Sequence, residues 1–431
     1  MQENPVLAHV ALGYSPMLNR QRAVVATRLT VFPESSDGVP DAHALLIALQ
    51  EVWPAPSGGG ELKLTLRPLD PASVSQRSSA AATASAPGAA AHPVSLNIAG
   101  EAFLRAVMDA APPPHLMLEV PAFMVADPAL APVLRSLREA GSVLLIKGRP
   151  LTALEPELLA CFSHSIVEAG EDRRTGVAPP PGVRQVSTVQ SGTRNSADVE
   201  QAFERGAVAV LGWPLDDPLP KASGRPKVPT DIQAVMELIS GVDRELPVAR
   251  LEDILRRDPT LAFRLLRYLN SPAFGLPAEI SSFGHAIMML GYQRLKRWLA
   301  LLLATSTKDP NARALMHAAV CRGLLMEELA RGNGDAELRG EMFICGVFSL
   351  LDRLLQQPMA DLLASVPVPD RVQRSLREEG GPFEPYLALV RAVEQESVYD
   401  IRECTEALML GPAEVNRAVL VALRSARQLE G

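Results

Sequence analysis

The chain has 431 residues, 47% of them hydrophobic but only 4% aromatic, so the expectation is two domains with cores of Leu, Val, Ile and Ala. The net charge of −7 is shared: residues 1–228 carry 19 Lys and Arg against 22 Asp and Glu, a balance of −3, and the remainder of the chain holds −4. Neither part is basic enough to neutralise a phosphate backbone, so no nucleic-acid partner is expected.

The opening segment MQENPVLAHVALGYSP lacks the basic and long apolar regions of an export signal. No apolar run reaches the ~18 residues of a membrane span. Leu299–Ala304 is the most apolar stretch, but it follows Arg294, Lys296 and Arg297 and reads as a buried helix. A cytoplasmic protein without a membrane span is expected. The four cysteines, Cys161, Cys321, Cys345 and Cys404, form no CxxC pair, which argues for reduced core residues over a zinc site.

Strands are expected at Val24–Val31, Glu61–Leu66, Val94–Ile98, Leu116–Val120, Val143–Ile146, Ser165–Val167 and Val208–Leu211. Amphipathic helices fall between several of them. Pro132–Ala140 opens with proline in its first turn and stops at Gly141; Ser196–Arg205 has Ser196 as its expected cap and stops at Gly206. Strand–helix alternation of this kind argues for an α/β unit with a largely parallel sheet, closed into a barrel. Residues 73–93, rich in Ala, Ser and Pro, bury too little to offset their ordering entropy and are expected to form a disordered insertion, around which the barrel looks shortened. The proline-rich stretch 216–229 is expected to be a linker.

Beyond residue 229 the strand signal fades and an all-helical domain is expected. Asp258-Pro259 starts a helix that continues through Leu261, Leu265, Leu266 and Leu269, and Asn270-Ser271-Pro272 ends it. Ser281 and Ser282 cap the next helix, which closes at Gly291. Later helices are expected at Ala312–Ala330, Glu341–Gln356, Pro385–Glu396 and Pro412–Leu429. The last has Glu414 in its first turn and Arg424 and Arg427 near its end, which suits the helix dipole.

The order of letters in residues 251–303 resembles the HDOD family. Its hallmark falls on Asp258, Pro259, Leu261, Leu265, Leu266, Asn270, Ser271, Ile280, Ser281, Ala286, Ile287, Leu290 and Gly291. Taken singly these residues are ordinary caps and core leucines; their order carries the resemblance. HDOD modules are similar to HD-type metal-dependent phosphohydrolases, whose chemistry takes a His, a His-Asp pair and a distant Asp. His317 matches the first position. Ser349 and Leu350 stand at the His-Asp pair, leaving no ligand set, and Asp352 serves only in a different register. His317 is therefore expected to be a structural histidine.

The whole chain resembles the EAL–HDOD hybrid signalling proteins: an EAL-like TIM-type barrel over 1–215, a linker over 216–229 and an HDOD domain over 230–431. EAL domains are expected to hydrolyse cyclic di-GMP with two metal ions held by carboxylates at strand ends. The resemblance places Arg28 where the signature glutamate belongs. Asn97 and Glu119 match metal-ligand positions. Lys147 and Gly148 replace a paired aspartate, Glu168 stands near the catalytic lysine's place, Gln190 replaces a late glutamate and Leu211 a glutamine. Two dications need several anionic ligands, so Asn97 and Glu119 are expected to be vestigial, Asn97 in a strand-end hydrogen bond and Glu119 as a solvated carboxylate. Lone acids such as Asp109 and Asp127 are expected to be solvated.

The implied function is regulatory and non-catalytic, acting through an unidentified protein partner, with no metal or cofactor bound. The alternatives are a cyclic di-GMP receptor, in which Arg28, Lys147 and Arg149 face the phosphates, and a cyclic di-GMP phosphodiesterase.

Overall fold

The computed structural model describes residues 4–34, 38–54, 93–150, 154–171, 186–219, 230–256, 312–333, 335–365 and 368–430, with Gly284, Ile287, Gly291, Tyr292, Leu295 and Leu299 besides. The chain divides into two compact units. The first comprises Met1–Asp216 together with Val393–Tyr399; the second comprises Asp217–Ala392 and Asp400–Gly431.

The first unit is a closed barrel of eight strands in sequential order. These are β1 (Val10–Leu18), β2 (Val24–Pro33), β3 (Val94–Ile98), β4 (Leu116–Pro121), β5 (Leu144–Lys147), β6 (Phe162–Glu168), β7 (Ser187–Ser191) and β8 (Ala209–Leu211). Strand β1 runs antiparallel to both β2 and β8, and every other pairing is parallel. The β1–β2 connection is tight enough for antiparallel pairing. Asn19 Oδ1 accepts from the amides of Gln21 and Ala23, and Arg22 takes a left-handed conformation at φ 59°.

All nine residues of β1 and all five of β3 are buried, because helices cover the outside while side chains fill the inside. The barrel closes with eight strands, so the expected shortening does not reach the sheet. The strand expected at Glu61–Leu66 lies outside the described residues, as does the insertion expected over 73–93 up to Pro93. Strand β7 was not among the expected strands; its STVQS sequence has only one large apolar side chain. Helix Ser196–Glu204 is capped by Asn195, whose Oδ1 accepts from Asp198 N at 2.8 Å. The expected cap, Ser196, is instead the first helical residue.

The second unit is helical throughout its described residues. Helices span Thr230–Asp243, Val248–Arg256, Ala312–Leu329, Ala336–Phe348, Leu351–Leu355, Met359–Ser365, Asp370–Leu376, Glu384–Glu394, Val398–Ala407 and Pro412–Glu430, the segments nearest Val393–Tyr399 being shared with the first unit. The single helix expected at Glu341–Gln356 is broken at Ser349-Leu350. Ser349 turns its hydroxyl back onto Gly346 O at 2.7 Å, and Leu350 leaves helical geometry at φ −118°. Helices Ala312–Leu329 and Ala336–Phe348 cross at Gly323 and Gly346. A Cβ on Gly346 would stand 2.6 Å from Arg322 O, and one on Gly323 would stand 2.7 Å from Val347 Cγ2, so the backbones meet without side chains between them. Phe343 and Phe348 are among the most fully buried side chains of this unit. Cys161, Cys321 and Cys345 are buried, Cys404 is half-buried, and all four are free thiols; burial pushes the Cys345 thiol up to about 12.

His164 stands on β6. It is buried opposite Leu145, and burial drops its imidazole to about 4. Above the unfolded value of about 6.5 it is neutral in both states and has no effect. Below that value the unfolded chain takes up a proton that the native barrel refuses until about pH 4. Stability therefore falls as pH drops through this window, by up to about 3 kcal/mol. Urea unfolding at about pH 7.5 and about pH 4.5 should show this loss in the native protein and a smaller one in His164→Gln.

Candidate functional site

Side chains two apart on a strand share a face. Met17, Ala26, Met117 and Leu145 meet in one apolar cluster with Ile166, Val189, Ala209 and Leu211. One step along each of the first strands, on the same face, stand Ser15, Arg28, Glu119 and Lys147; Arg28 is paired in register with both Ser15 and Ser95, and Thr30 with Asn97. On the parallel strands the polar residue always follows the apolar one. The polar set therefore lies at the carboxyl-terminal end of the barrel, where TIM-type barrels place their sites.

The set is held together by charge. Arg28 Nη2 donates to Glu119 Oε2 at 2.7 Å; the Glu119 side chain is 0% exposed and that of Arg28 only 11%. The other Glu119 oxygen accepts from Ser95 Oγ at 2.9 Å. On its other side Arg28 Nη1 lies 3.7 Å from Glu396 Oε2. Glu396 accepts from Ser15 Oγ at 2.6 Å and from Thr30 Oγ1 at 2.9 Å. Thr30 Oγ1 also accepts from Asn97 Nδ2 at 3.0 Å, and Asn97 Oδ1 accepts from Lys147 Nζ at 2.8 Å. Burial alone would lower the Arg28 guanidinium, but the charges of Glu119 and Glu396 outweigh it and hold its pKa above the usual value. The Lys147 ammonium is pushed down, first by burial and then by Arg28.

Several sequence expectations converge here. Arg28, Asn97, Glu119 and Lys147 form one network. Glu119 was expected to be a solvated carboxylate and is not: its position two residues beyond Met117 turns it into the barrel, where Arg28 neutralises it. Asn97 does make the expected strand-end hydrogen bond. Arg149, two residues beyond β5, is exposed, as is Glu168 at the end of β6. Gln190 is buried, and its Oε1 has no partner among the described residues. Gly148 has a left-handed backbone at φ 83°, and Leu211 is buried in the apolar cluster. Asp127 was expected to be a lone, solvated acid; its side chain is partly exposed, and it also pairs with Arg105 at 2.8 Å. Glu396 was missed, because a carboxylate at a helix end some 366 residues from Thr30 leaves no local signal.

The donors gathered here do not fit a pair of divalent ions. Such a pair requires several anionic ligands to converge. This end of the barrel offers Glu119 and Glu396, whose two charges are balanced by Arg28 and Lys147, the Asn97 amide, and Glu168 exposed at the end of β6. Among the described residues no three His, Cys, Asp or Glu side chains are grouped to hold a metal ion.

In the second unit His317 is buried, with Cys321 Sγ one helical turn away at 3.5 Å from Nε2. Arg322, also buried, donates to Ser349 Oγ at 3.0 Å. Leu350 is buried in the core, and burial raises the Asp352 carboxyl above its usual range. A cavity of about 580 Å³ beside them is lined by Ser349, Asp352, Leu376, Arg377, Glu378 and Arg391, among others. Of the family-signature positions, Gly291 is described and has a left-handed backbone at φ 73°, and Ile287 is buried. Asp258, Pro259, Leu261, Leu265, Leu266, Asn270, Ser271, Ile280, Ser281, Ala286 and Leu290 lie outside the described residues.

Residues 226–365 match the model of the HDOD domain family. The chain therefore carries an HDOD domain, and it stands behind a closed eight-stranded barrel. That module order is the one found in EAL–HDOD hybrid proteins. The uncharacterized protein YuxH of Bacillus subtilis (strain 168) is 26% identical over 233 residues, covering 52% of this chain and 55% of that protein. The cyclic di-GMP phosphodiesterase CdgJ of Vibrio cholerae serotype O1 is 28% identical over 151 residues, 35% of each. The chain thus spans about half the length of the first relative and about a third of the second. Among solved structures it is similar to the PaMucR phosphodiesterase in complex with c-di-GMP, at 16% identity over 49% of this chain and 97% of that one, with a TM-score of 0.28. It is also similar to the Bacillus subtilis YkuI protein with an EAL domain, at 11% identity over 73% and 74%, with a TM-score of 0.28. Among the described residues no helix is long and apolar enough to cross a membrane.

Because both partners are buried, removing one leaves the other charge uncompensated. Arg28→Met and Glu119→Leu should each destabilise the barrel by about 3–5 kcal/mol, while the double variant should recover a large part of that loss. Urea unfolding of the three variants, read as a double-mutant cycle, measures the coupling.

Proposed function

We propose that this protein is a non-catalytic signal-transduction protein that works through protein–protein contacts, with both modules kept for shape and surface. The observation that supports this most is the Arg28–Glu119 ion pair inside the barrel. In an EAL-type phosphodiesterase, metal-activated water attacks phosphorus at that end of the barrel. Here a guanidinium stands at the signature glutamate's place and consumes the one buried carboxylate the strands still supply. A fixed cation a few Å away repels a dication strongly in a low-dielectric interior. Ser349 and Leu350 support the same reading for the HDOD domain, since leucine has no donor atom.

A cyclic di-GMP receptor without hydrolysis is the second reading. It is favoured by the name of the relative CdgJ and by Arg28 and Lys147, both turned into the barrel. Against it stands the pairing of those cations with Glu119, Glu396 and Asn97. Calorimetry with cyclic di-GMP separates the two readings: a receptor would bind, and Arg28→Ala would weaken it.

The full chain incubated with cyclic di-GMP and Mg²⁺ or Mn²⁺ should give no linear product above the protein-free control. Turnover that disappears in Glu119→Gln would make the protein a phosphodiesterase. A specific partner recovered on affinity capture, together with a signalling or motility change on gene deletion, is the positive outcome expected.

A further inference from the structure

The segment Val393–Tyr399 is counted with the barrel, although it lies far along the chain. Helix Glu384–Glu394 ends just before it, and Glu396 then adopts a left-handed backbone at φ 54°, its amide bonded to Val393 O at 3.2 Å. Glycine is the usual choice there, because it has no Cβ to be strained in that conformation, and asparagine comes next because its side chain can bond locally. Glu245 and Glu378 take the same conformation, so it is the carboxylate of Glu396, not its backbone, that sets it apart. Both oxygens are engaged by groups that recognise an anion: Ser15 Oγ at 2.6 Å, Thr30 Oγ1 at 2.9 Å and the Arg28 guanidinium at 3.7 Å. The barrel makes room for it. A Cβ on Gly13 would stand 2.9 Å from Glu396 Cα and 3.1 Å from Val393 O, so only glycine at this place on β1 lets the turn approach so closely. Arg28 Nε, meanwhile, has no partner among the described residues.

We propose that Glu396 is a built-in ligand of the barrel mouth: Ser15, Thr30 and Arg28 form an oxyanion site, now filled by the protein's own carboxylate, that would otherwise take the carboxylate or phosphate group of a small anionic molecule. Occupancy by the Glu396 turn and by such a molecule exclude one another. The charge balance requires an occupant. Arg28 and Lys147 are set against Glu119 and Glu396; with Glu396 withdrawn, the interior keeps one uncompensated positive charge, which a free anion would relieve. This goes beyond the function proposed above, since it holds whether or not the barrel has a signalling ligand and involves no hydrolysis.

The test is chemical rescue in the full chain. Glu396→Gly relaxes the left-handed backbone while deleting the carboxylate. A residue that merely ended a helix would tolerate this change or gain Tm from it. The expected result is a lower Tm that rises saturably by a few degrees with sodium acetate or inorganic phosphate, and not with sodium chloride at matched ionic strength. Acetate acting alone would identify a carboxylate site, and phosphate acting alone or more strongly a phosphoryl site. The native protein should show no such rise, and Arg28→Met/Glu396→Gly should lose it. Gly13→Ala, which displaces the turn without touching any charge, should acquire the same anion response and serves if Glu396→Gly does not fold. An unchanged or raised Tm in Glu396→Gly, or equal responses to acetate, phosphate and chloride, would overturn the proposal.

Discussion

A guanidinium buried in the mouth of a barrel has to be neutralised from within, and the rest of this site follows from that requirement. Arg28 is fixed by the register of β2, which turns it inward between Ala26 and Thr30. The Glu119 side chain is fully buried and that of Arg28 nearly so, so Coulomb interactions are strong and an unpaired charge is costly. Glu119 answers from β4 and Glu396 from the turn beyond Glu394. Ser15 and Ser95 then satisfy the carboxylate oxygens that Arg28 does not reach, and Thr30 shares Glu396 Oε2 with it. Asn97 links this group to Lys147, the second cation. The result is a set of internal partners that balances the charges of Arg28, Lys147, Glu119 and Glu396.

The helical unit follows a similar course with weaker electrostatics. At the positions where the HD resemblance calls for a His-Asp pair, Ser349 bonds Arg322 and Gly346, and Leu350 fills the core. His317 rests against a thiol. Glycines at 323 and 346 let two long helices pack backbone to backbone. In the barrel Arg28, Asn97, Glu119 and Lys147 are tied to internal partners, and in the helical unit so is Ser349. Function belongs to sites rather than folds, and the fold alone gives no reason to assign an activity.

Much of the barrel could be read from the sequence, because buried parallel strands leave short runs of Val, Leu and Ile that are easily seen between helices. Strand β7 escaped because its burial rests on neighbouring strands rather than on its own composition. The break at Ser349-Leu350 escaped for a related reason: the helical periodicity continues across it, and only a hydroxyl bonding back to Gly346 stops the helix. In the site, Arg28, Asn97, Glu119 and Lys147 were all picked out, but their charges were read one at a time. Treating Arg28 and Glu119 separately left a cation facing a ligand and a carboxylate facing water; pairing across β2, β3 and β4 removes both. Glu396 had no local signature, since neither its spacing nor its neighbours connect it to a barrel that begins near residue 10.

On the function proposed above, the Arg28 guanidinium takes the place of metal at the barrel's carboxyl-terminal end. Direct titration of the metal-stripped full chain with Mn²⁺, read by the electron paramagnetic resonance of free Mn²⁺, tests it. The expected result is a free-ion signal that rises in proportion to added metal, with no saturable binding. One or two equivalents of Mn²⁺ taken up tightly, and lost in Glu119→Gln, would contradict it.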